Sequence, residues 1–398
     1  MKTVLAYSGG LDTSVCVKWL QEKYESEVIT LTIDVGQKKD LKKVAENAEK
    51  LGVIKHYTID AKKEFAENYI LPSIKANGMY EGVYPLSSAL SRPLIASKLV
   101  EVANKEGASA VAHGCTGKGN DQVRFEVTIR SLDPKLKVIA PVREWNLTRD
   151  EEVEYLNKSG AGLNIELGGV YSIDQNLWGR SIEGGVLEDP SQEPPAEIFE
   201  WTNSIEKTPD EPEYVTLEFD HGRPVGLNGE RMELVDLIVT LNMIAGKHGV
   251  GRIDHLEDRV VGIKSREVYE CPAALVILKA HKDLEKAVLT RHELIFKQLV
   301  DTEWGRLVYM GLWVDPLKED LDSFIDKTQE RVTGEVKVKL HKGNCVVVGR
   351  SSPNLLYDLK LSTYGLESIF NQMASEGFIE LWSLQSALAR RIMEKANK

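Results

Sequence analysis

The chain predicts an α/β architecture: a doubly wound parallel sheet in its first half, a separate α+β region after it, and an amphipathic helix at its end. Three observations carry this reading. Short apolar strands alternate with segments of helical periodicity from residue 3 to residue 159, a pattern that sandwiches a parallel sheet between helices. In that half, two glycine-containing loops each follow a strand directly, at the sheet end where ligands of such folds collect. Beyond residue 187 the alternation stops, and a stretch rich in Pro, Glu and Asp leads into helices and hairpins.

The first strand is Thr3–Tyr7, followed by a helix over Asp12–Tyr24 in which Val15, Trp19 and Leu20 recur near the helical period. Val28–Ile33 and Val53–Ile59 are strands, with Asp40–Leu51 a helix between them. Ala89–Ala103 is helical, Ala110–Ala112 a very short strand, Asn120–Ser131 a helix, Lys137–Ala140 a strand, and Arg149–Ser159 the closing helix. In the second half, Leu187–Glu213 reads as a solvated connection. Leu217–Phe219 and Pro224–Leu227 are short strands around a turn at His221-Gly222. Helices are expected over Met232–Lys247, Cys271–Leu289 and His292–Met310. Glu335–Leu340 and Cys345–Val348 form a hairpin through Lys342-Gly343-Asn344. Leu381–Ala396 is the terminal helix, with Leu381, Leu384, Leu388 and Ile392 on one stripe. The expected division is 1–165, 166–360 and 361–398.

The 398 residues are 42% hydrophobic and 28% charged, with a mean hydropathy of −0.25, the composition of a globular chain of more than one domain. No apolar run reaches about eighteen residues, so no membrane span is expected. Met1-Lys2-Thr3-Val4-Leu5 passes straight into a strand pattern without a signal-peptide core, which makes the cytosol the expected location. Cys16, Cys115, Cys271 and Cys345 lie far apart and read as reduced, packed thiols. A net charge of −11 argues against a nucleic-acid partner but not against a small polyanion held by local groups.

Ala6-Tyr7-Ser8-Gly9-Gly10-Leu11-Asp12-Thr13-Ser14 joins the first strand to the first helix. Two glycines allow close backbone approach, the first helical amides converge on one point, and the helix dipole there favours an anion. Ser8, Thr13 and Ser14 add hydroxyls. Taken alone, Ser-Gly-Gly also fits an ordinary strand–helix turn capped by Asp12 or Thr13. The full string resembles the pyrophosphate-binding loop of the N-type ATP pyrophosphatases, whose fold is that of the adenine nucleotide alpha hydrolases.

A second string, His113-Gly114-Cys115-Thr116-Gly117-Lys118-Gly119-Asn120-Asp121-Gln122-Val123-Arg124-Phe125-Glu126, gathers backbone amides, cations, side-chain amides and an acid at a strand exit. Such a patch suits a phosphate, an amino acid or both. With Tyr84-Pro85-Leu86-Ser87-Ser88-Ala89-Leu90-Ser91-Arg92-Pro93, Tyr171–Trp178 running on to Ser181-Ile182-Glu183, and Gly246–Glu270, it is similar to the argininosuccinate synthase family over nearly the whole length.

That resemblance implies a carbon–nitrogen ligase. Citrulline is activated by ATP as an adenylate, pyrophosphate leaves, and aspartate displaces AMP to give argininosuccinate. It implies ATP contacts at Ala6–Ser14, Ile33 and Gly114, and aspartate contacts at Thr116, Asn120 and Asp121. Citrulline contacts would be Tyr84, Ala89, Asn120, Arg124, Ser172, Ser181, Glu257 and Tyr269. Ala89 departs from the serine that some members carry there, which puts that one contact in doubt. No residue is assigned as acid or base; Ser14, Asp121 and Arg124 position reactants. Mg²⁺ is expected on the ATP phosphates with no protein cage, and the chain is expected to be a homotetramer joined through its terminal helix. Other ATP pyrophosphatases, such as tRNA thiolases or amidotransferases, lack support in the cysteine pattern and charge, and a non-catalytic nucleotide sensor would not need the His113–Glu126 string.

Overall fold

The computed structural model describes residues 1–145, 147–159 and 169–397. Its first half is built on a five-stranded sheet of β1 (Lys2–Ala6), β2 (Glu27–Asp34), β3 (Lys55–Asp60), β4 (Ala110–Ala112) and β5 (Lys137–Ile139), in the order β3-β2-β1-β4-β5. All four pairings are parallel. The strands are apolar on both sides: Val4, Leu5, Ile29, Ala110 and Val111 are fully buried, as strands covered by helices on two faces must be. β1 is central, and the chain leaves it first toward β2 and later returns on its other side as β4. The loops after β1 and β4 therefore diverge and open a crevice at the carboxyl end of the sheet.

Helices α1 (Leu11–Tyr24), α2 (Leu41–Lys50), α3 (Ser87–Glu106), α4 (Asp121–Leu132) and α5 (Arg149–Lys158) accompany this sheet. α5 begins with a reciprocal capping box between Thr148 and Glu151, the arrangement that satisfies two helix-start donors at once. Short helical segments at Lys62–Phe65, Ala66–Ile70 and Leu71–Lys75 were not anticipated; at this length and with Pro72 inside, they show no sustained helical period.

The second half holds two antiparallel sheets. The first joins β6 (Ser172–Asn176), β7 (Gly179–Glu183), β11 (Arg252–Asp258) and β12 (Lys264–Glu270) in the order β11-β12-β7-β6. The second joins β8 (Glu213–Asp220), β9 (Arg223–Leu227), β10 (Glu230–Arg231), β13 (Gly334–His341) and β14 (Asn344–Ser351) in the order β10-β9-β8-β13-β14. α6 (Leu234–Lys247), α7 (Pro272–Val288), α8 (Arg291–Tyr309) and α9 (Pro316–Gln329) pack with them.

The stretch 187–213 is not simply solvated: Leu187, Ile198, Thr202 and Thr208 are buried. The fully buried carboxylate of Glu270 accepts the backbone amides of Glu200, Trp201 and Thr202 at 2.9–3.0 Å, the Thr202 hydroxyl at 2.8 Å, and Arg180 Nη1 at 2.9 Å. A buried acid with five donors is satisfied, and it pins a proline-rich strip that composition alone reads as surface.

The structure divides into two compact units, Met1–Asn354 and one beginning at Leu355. The boundary expected at residue 165 lies outside the described residues. Within the second unit, α10 (Ala374–Ala396) is a helix of 23 residues with no buried position.

Candidate active site

The carboxyl end of the first sheet opens into a cleft of about 650 Å³, whose walls come from the β1, β2 and β4 loops, the start of α4 and the β6-β7-β12-β11 sheet. At its floor is the Ala6–Ser14 loop. Gly9 has φ +76°, and a Cβ there would stand 2.8 Å from Val44 Cγ2, so only glycine fits. Ser8 Oγ and Thr13 Oγ1 lie 3.2 Å apart, and both Thr13 and Ser14 hydroxyls donate to the Gly10 carbonyl at 3.3 and 2.8 Å. Leu11, Asp12 and Thr13 line the cleft, and as first residues of α1 they have amides without intrahelical partners. Ser14 is fully buried and braces the loop from behind, with its hydroxyl also 3.2 Å from Tyr7 Oη. Gly114 closes against the same loop, because a Cβ there would meet Thr13 Cγ2 at 3.0 Å.

Charged groups hold the opposite side. Asp121 opens α4, with its Oδ2 bound by Arg92 Nε at 2.8 Å and Nη2 at 2.7 Å, and its Oδ1 bound by Arg124 Nη1 at 3.0 Å. Burial alone would raise its pKa, but Arg92 and then Arg124 hold the carboxyl below its usual value. Asp121 is thus a firm carboxylate. Arg124 spends Nε on the Tyr309 carbonyl at 3.0 Å, while its buried Nη2 has no partner among the described residues. That is a guanidinium edge prepared for an anion.

Glu257 is 2% exposed and accepts from two phenols, Tyr269 at 2.7 Å and Tyr309 at 2.5 Å. Burial, and then the Glu257 charge, pushes the Tyr309 hydroxyl upward; burial, the neighbouring Tyr84 and Glu257 do the same to Tyr269. Both phenols therefore stay protonated donors. Tyr84 stacks on Tyr269 at 4.2 Å, and Tyr80 on Tyr309 at 3.5 Å, making a rigid aromatic wall. Asn120 is fixed from both ends, its Nδ2 donating to Tyr309 Oη at 2.9 Å and its Oδ1 accepting the Val260 amide at 2.8 Å. Strand register brings Ser181 beside Tyr269 and Asp174 beside Ser181.

One end of the cleft is therefore a donor-lined anion cradle. The other presents the carboxylates of Asp121 and Glu257 among others and a free guanidinium edge, the complement of zwitterionic amino acids. Residues 2–162 match the family model "Arginosuccinate synthase N-terminal HUP domain" and residues 171–389 match "Arginosuccinate synthase C-terminal domain". The chain is 62% identical to an argininosuccinate synthase of Pyrococcus furiosus over 99% of its own length and 95% of that protein. It is 56% identical to those of Dictyoglomus turgidum, with 97% of each chain covered, and Geobacillus thermodenitrificans, with 100% and 97% covered.

The chain belongs to the argininosuccinate synthase family.

Of the residues that the family resemblance singles out, Ala6, Tyr7, Ser8, Gly10, Leu11, Asp12, Thr13, Ile33, Tyr84, Gly114, Thr116, Asn120, Asp121, Arg124, Ser172, Ser181, Glu257 and Tyr269 all line this one cleft. Gly9, Ser14 and Ala89 are not part of the lining; Ala89 is 1% exposed and sits in the packed face of α3. Sequence reasoning missed Arg92, Asp174, Tyr309 and Lys39. Arg92 lay within a quoted segment without a role, and Tyr309 at the end of α8 carries no local pattern that marks it.

Proposed function

We propose that this cleft carries out the ligation that defines the family, joining citrulline to aspartate at the expense of ATP. The observation that carries the reading is the single cleft in which a phosphate-type loop faces Asp121, held as a carboxylate beside the unpartnered Nη2 of Arg124. In this reading the Ala6–Thr13 loop holds the ATP phosphates, Ile33 and Gly114 flank the nucleoside, and Ser14 keeps the loop taut. Arg124 takes the citrulline carboxylate and Glu257 its ammonium. Tyr84, Ser172, Ser181, Asn120 and Tyr269 frame its chain, with Ala89 supporting the wall from behind. Thr116, Asn120 and Asp121 receive aspartate.

The ureido oxygen of citrulline then attacks the α-phosphorus. An O–P bond forms, the bond to the β-phosphate oxygen breaks, and pyrophosphate departs with that electron pair. The aspartate ammonium gives a proton to solvent, the amine forms a C–N bond to the ureido carbon, the C–O bond breaks with AMP leaving on its electron pair, and the new C–N nitrogen sheds its extra proton to solvent. Neither step needs a side-chain nucleophile. Alignment of two bound amino acids is worth effective molarities on the order of 10⁵ M or more, and loop amides stabilise the leaving diphosphate.

Mg²⁺ fits as a cation carried by the phosphates. Asp12 is the carboxylate in the loop lining, and no group of three or more His, Cys, Asp or Glu gathers among the described residues. When bound, it neutralises phosphate charge. We read residues 1–165 as the nucleotide domain, 166–360 as the synthetase domain and 361–398 as the oligomerisation tail of a cytosolic homotetramer. Among the described residues no helix is long and apolar enough to cross a membrane.

Pyrophosphate release should require ATP, Mg²⁺ and citrulline, and AMP formation should require aspartate as well. Asp121→Asn should keep citrulline-dependent exchange of labelled pyrophosphate into ATP while losing aspartate capture. Loss of both would show that Asp121 serves the first step too.

A further inference from the structure

The first cradle string has no lysine, yet the cleft lining beside it holds Lys38 and Lys39, of which Lys39 bonds the loop itself. Lys39 lies in the turn that leaves β2 and enters α2. That turn is locked at several points. Gln37 accepts the Val35 amide at 2.8 Å and donates to the Ile33 carbonyl at 2.7 Å, Asp34 accepts the Gly36 amide at 2.9 Å, and Leu177 N–H donates to the Val35 carbonyl at 2.9 Å. On its far side, Asp40 caps α2 through the Lys42 and Lys43 amides at 3.1 Å. Lys39 is thus held between two fixed points. The residue is exposed, lines the cleft, and donates from its ammonium to the carbonyl of Ser8, in the phosphate loop, at 3.1 Å.

Each arginine of the cleft lining already pairs with a carboxylate, Arg180 with Glu200 and Glu270, and the one open edge, Arg124 Nη2, is assigned above to the citrulline carboxylate. Arg92 is paired with Asp121 and Asp174, Arg124 with Asp121, and Arg259 with Glu183 and Glu267. The Lys39 ammonium forms no ion pair among the described residues, and its hydrogen bond is to a neutral carbonyl. Asp174, whose charge reaches it, is occupied by Arg92 at 2.9 Å and Ser88 at 2.7 Å. An ammonium parked on a loop carbonyl exchanges a weak bond for a strong one when a polyanion arrives.

We propose that Lys39 is the cationic arm of the phosphate loop, leaving the Ser8 carbonyl to bind the β- and γ-phosphates of ATP and the pyrophosphate they become. This rests on the phosphate placement proposed above and supplies from a distant segment the lysine that a P-loop carries within its own string. Because Lys39 contacts the part of the nucleotide that departs, it sets affinity for ATP and for pyrophosphate together, not for either amino acid.

The test is steady-state kinetics on the full-length enzyme with Mg-ATP, and with inorganic pyrophosphate as product inhibitor. Lys39→Ala and Lys39→Gln should each raise KM for ATP and the inhibition constant of pyrophosphate by about tenfold to a hundredfold, the worth of one charge-assisted bond. Lys39→Arg should retain most of the affinity, and KM for citrulline and aspartate should hold. Lys39→Gln removes the charge and keeps a polar side chain, so a normal Lys39→Gln enzyme would mean that the ammonium does not hold phosphate, and the proposal fails. It also fails if Lys38→Ala shifts the two constants as much as Lys39→Ala does. Thr13→Val separates the two readings. If it weakens ATP while Lys39 variants do not, the cradle stands without its lysine; if neither changes, the phosphate placement itself is wrong.

Discussion

Arg92 makes four short contacts at once: two to Asp121, one to Asp174 at 2.9 Å, and one to the Ser91 hydroxyl at 3.1 Å. Its planar fork links the start of α4 to β6, and thereby the two sheets that wall the cleft; a lysine has no equivalent geometry. Removing it leaves Asp121 with Arg124 alone. Arg92 is the larger of the two charges that hold the Asp121 carboxyl down against its burial, so the Asp121 pKa rises in Arg92→Gln. Ammonium capture needs the carboxylate. The acid limb of kcat/KM for aspartate should therefore move to higher pH, while citrulline-dependent pyrophosphate exchange changes less. A simple packing defect would lower the whole profile without moving its limb, and that result would remove Arg92 from the positioning role.

At the scale of elements, the phosphate loop was legible because everything it needs is local: a strand, Gly9 and Gly10, hydroxyls and a helix start within nine residues. The Thr116–Arg124 string was legible for the same reason. The hairpins β6-β7 and β11-β12 were not, although they supply Ser172, Ser181, Glu257 and Tyr269. Their sequences, SIDQN and RIDHLED among them, are polar because one face lines the cleft, and that erases the apolar alternation by which strands are found. Arg92, Tyr309 and Lys39 were missed because their meaning comes from partners 29 to 52 residues or more away in the chain, or 31 in the case of Lys39.

α5 makes a separate prediction. Its Glu152 is 6% exposed, and burial, followed by the charge of Asp12, pushes its carboxyl up to about 8 from an ordinary 4.5. Between those two values the folded chain keeps a proton that the unfolded chain has released, so stability falls as pH rises through that window. Glu152→Gln keeps a donor toward Asp12 without the titration. The drop in Tm from pH 5 to pH 8 should shrink by about 2 °C or more. An unchanged drop would assign the pH dependence elsewhere.

At the scale of the whole molecule, the first unit carries its own cores and, among the described residues, the cleft lining, whereas α10 carries none of it. Leu381, Leu384, Leu388 and Ile392 are each more than half exposed, and Phe378 stacks on Trp382 at 5.4 Å. An apolar stripe of that length is costly to leave in water, and the homotetramer proposed above gives it a destination in a second copy. Replacing Leu381 and Leu388 together with Asp keeps the helix length and spoils the stripe. Sedimentation velocity should then report a smaller species, and Tm should lose its dependence on protein concentration. An unaltered sedimentation coefficient would rule out the helix as the joint. Because among the described residues the cleft lining comes from the first unit, citrulline-dependent pyrophosphate release per chain should survive dissociation; its disappearance would mean that a neighbouring subunit completes the cleft.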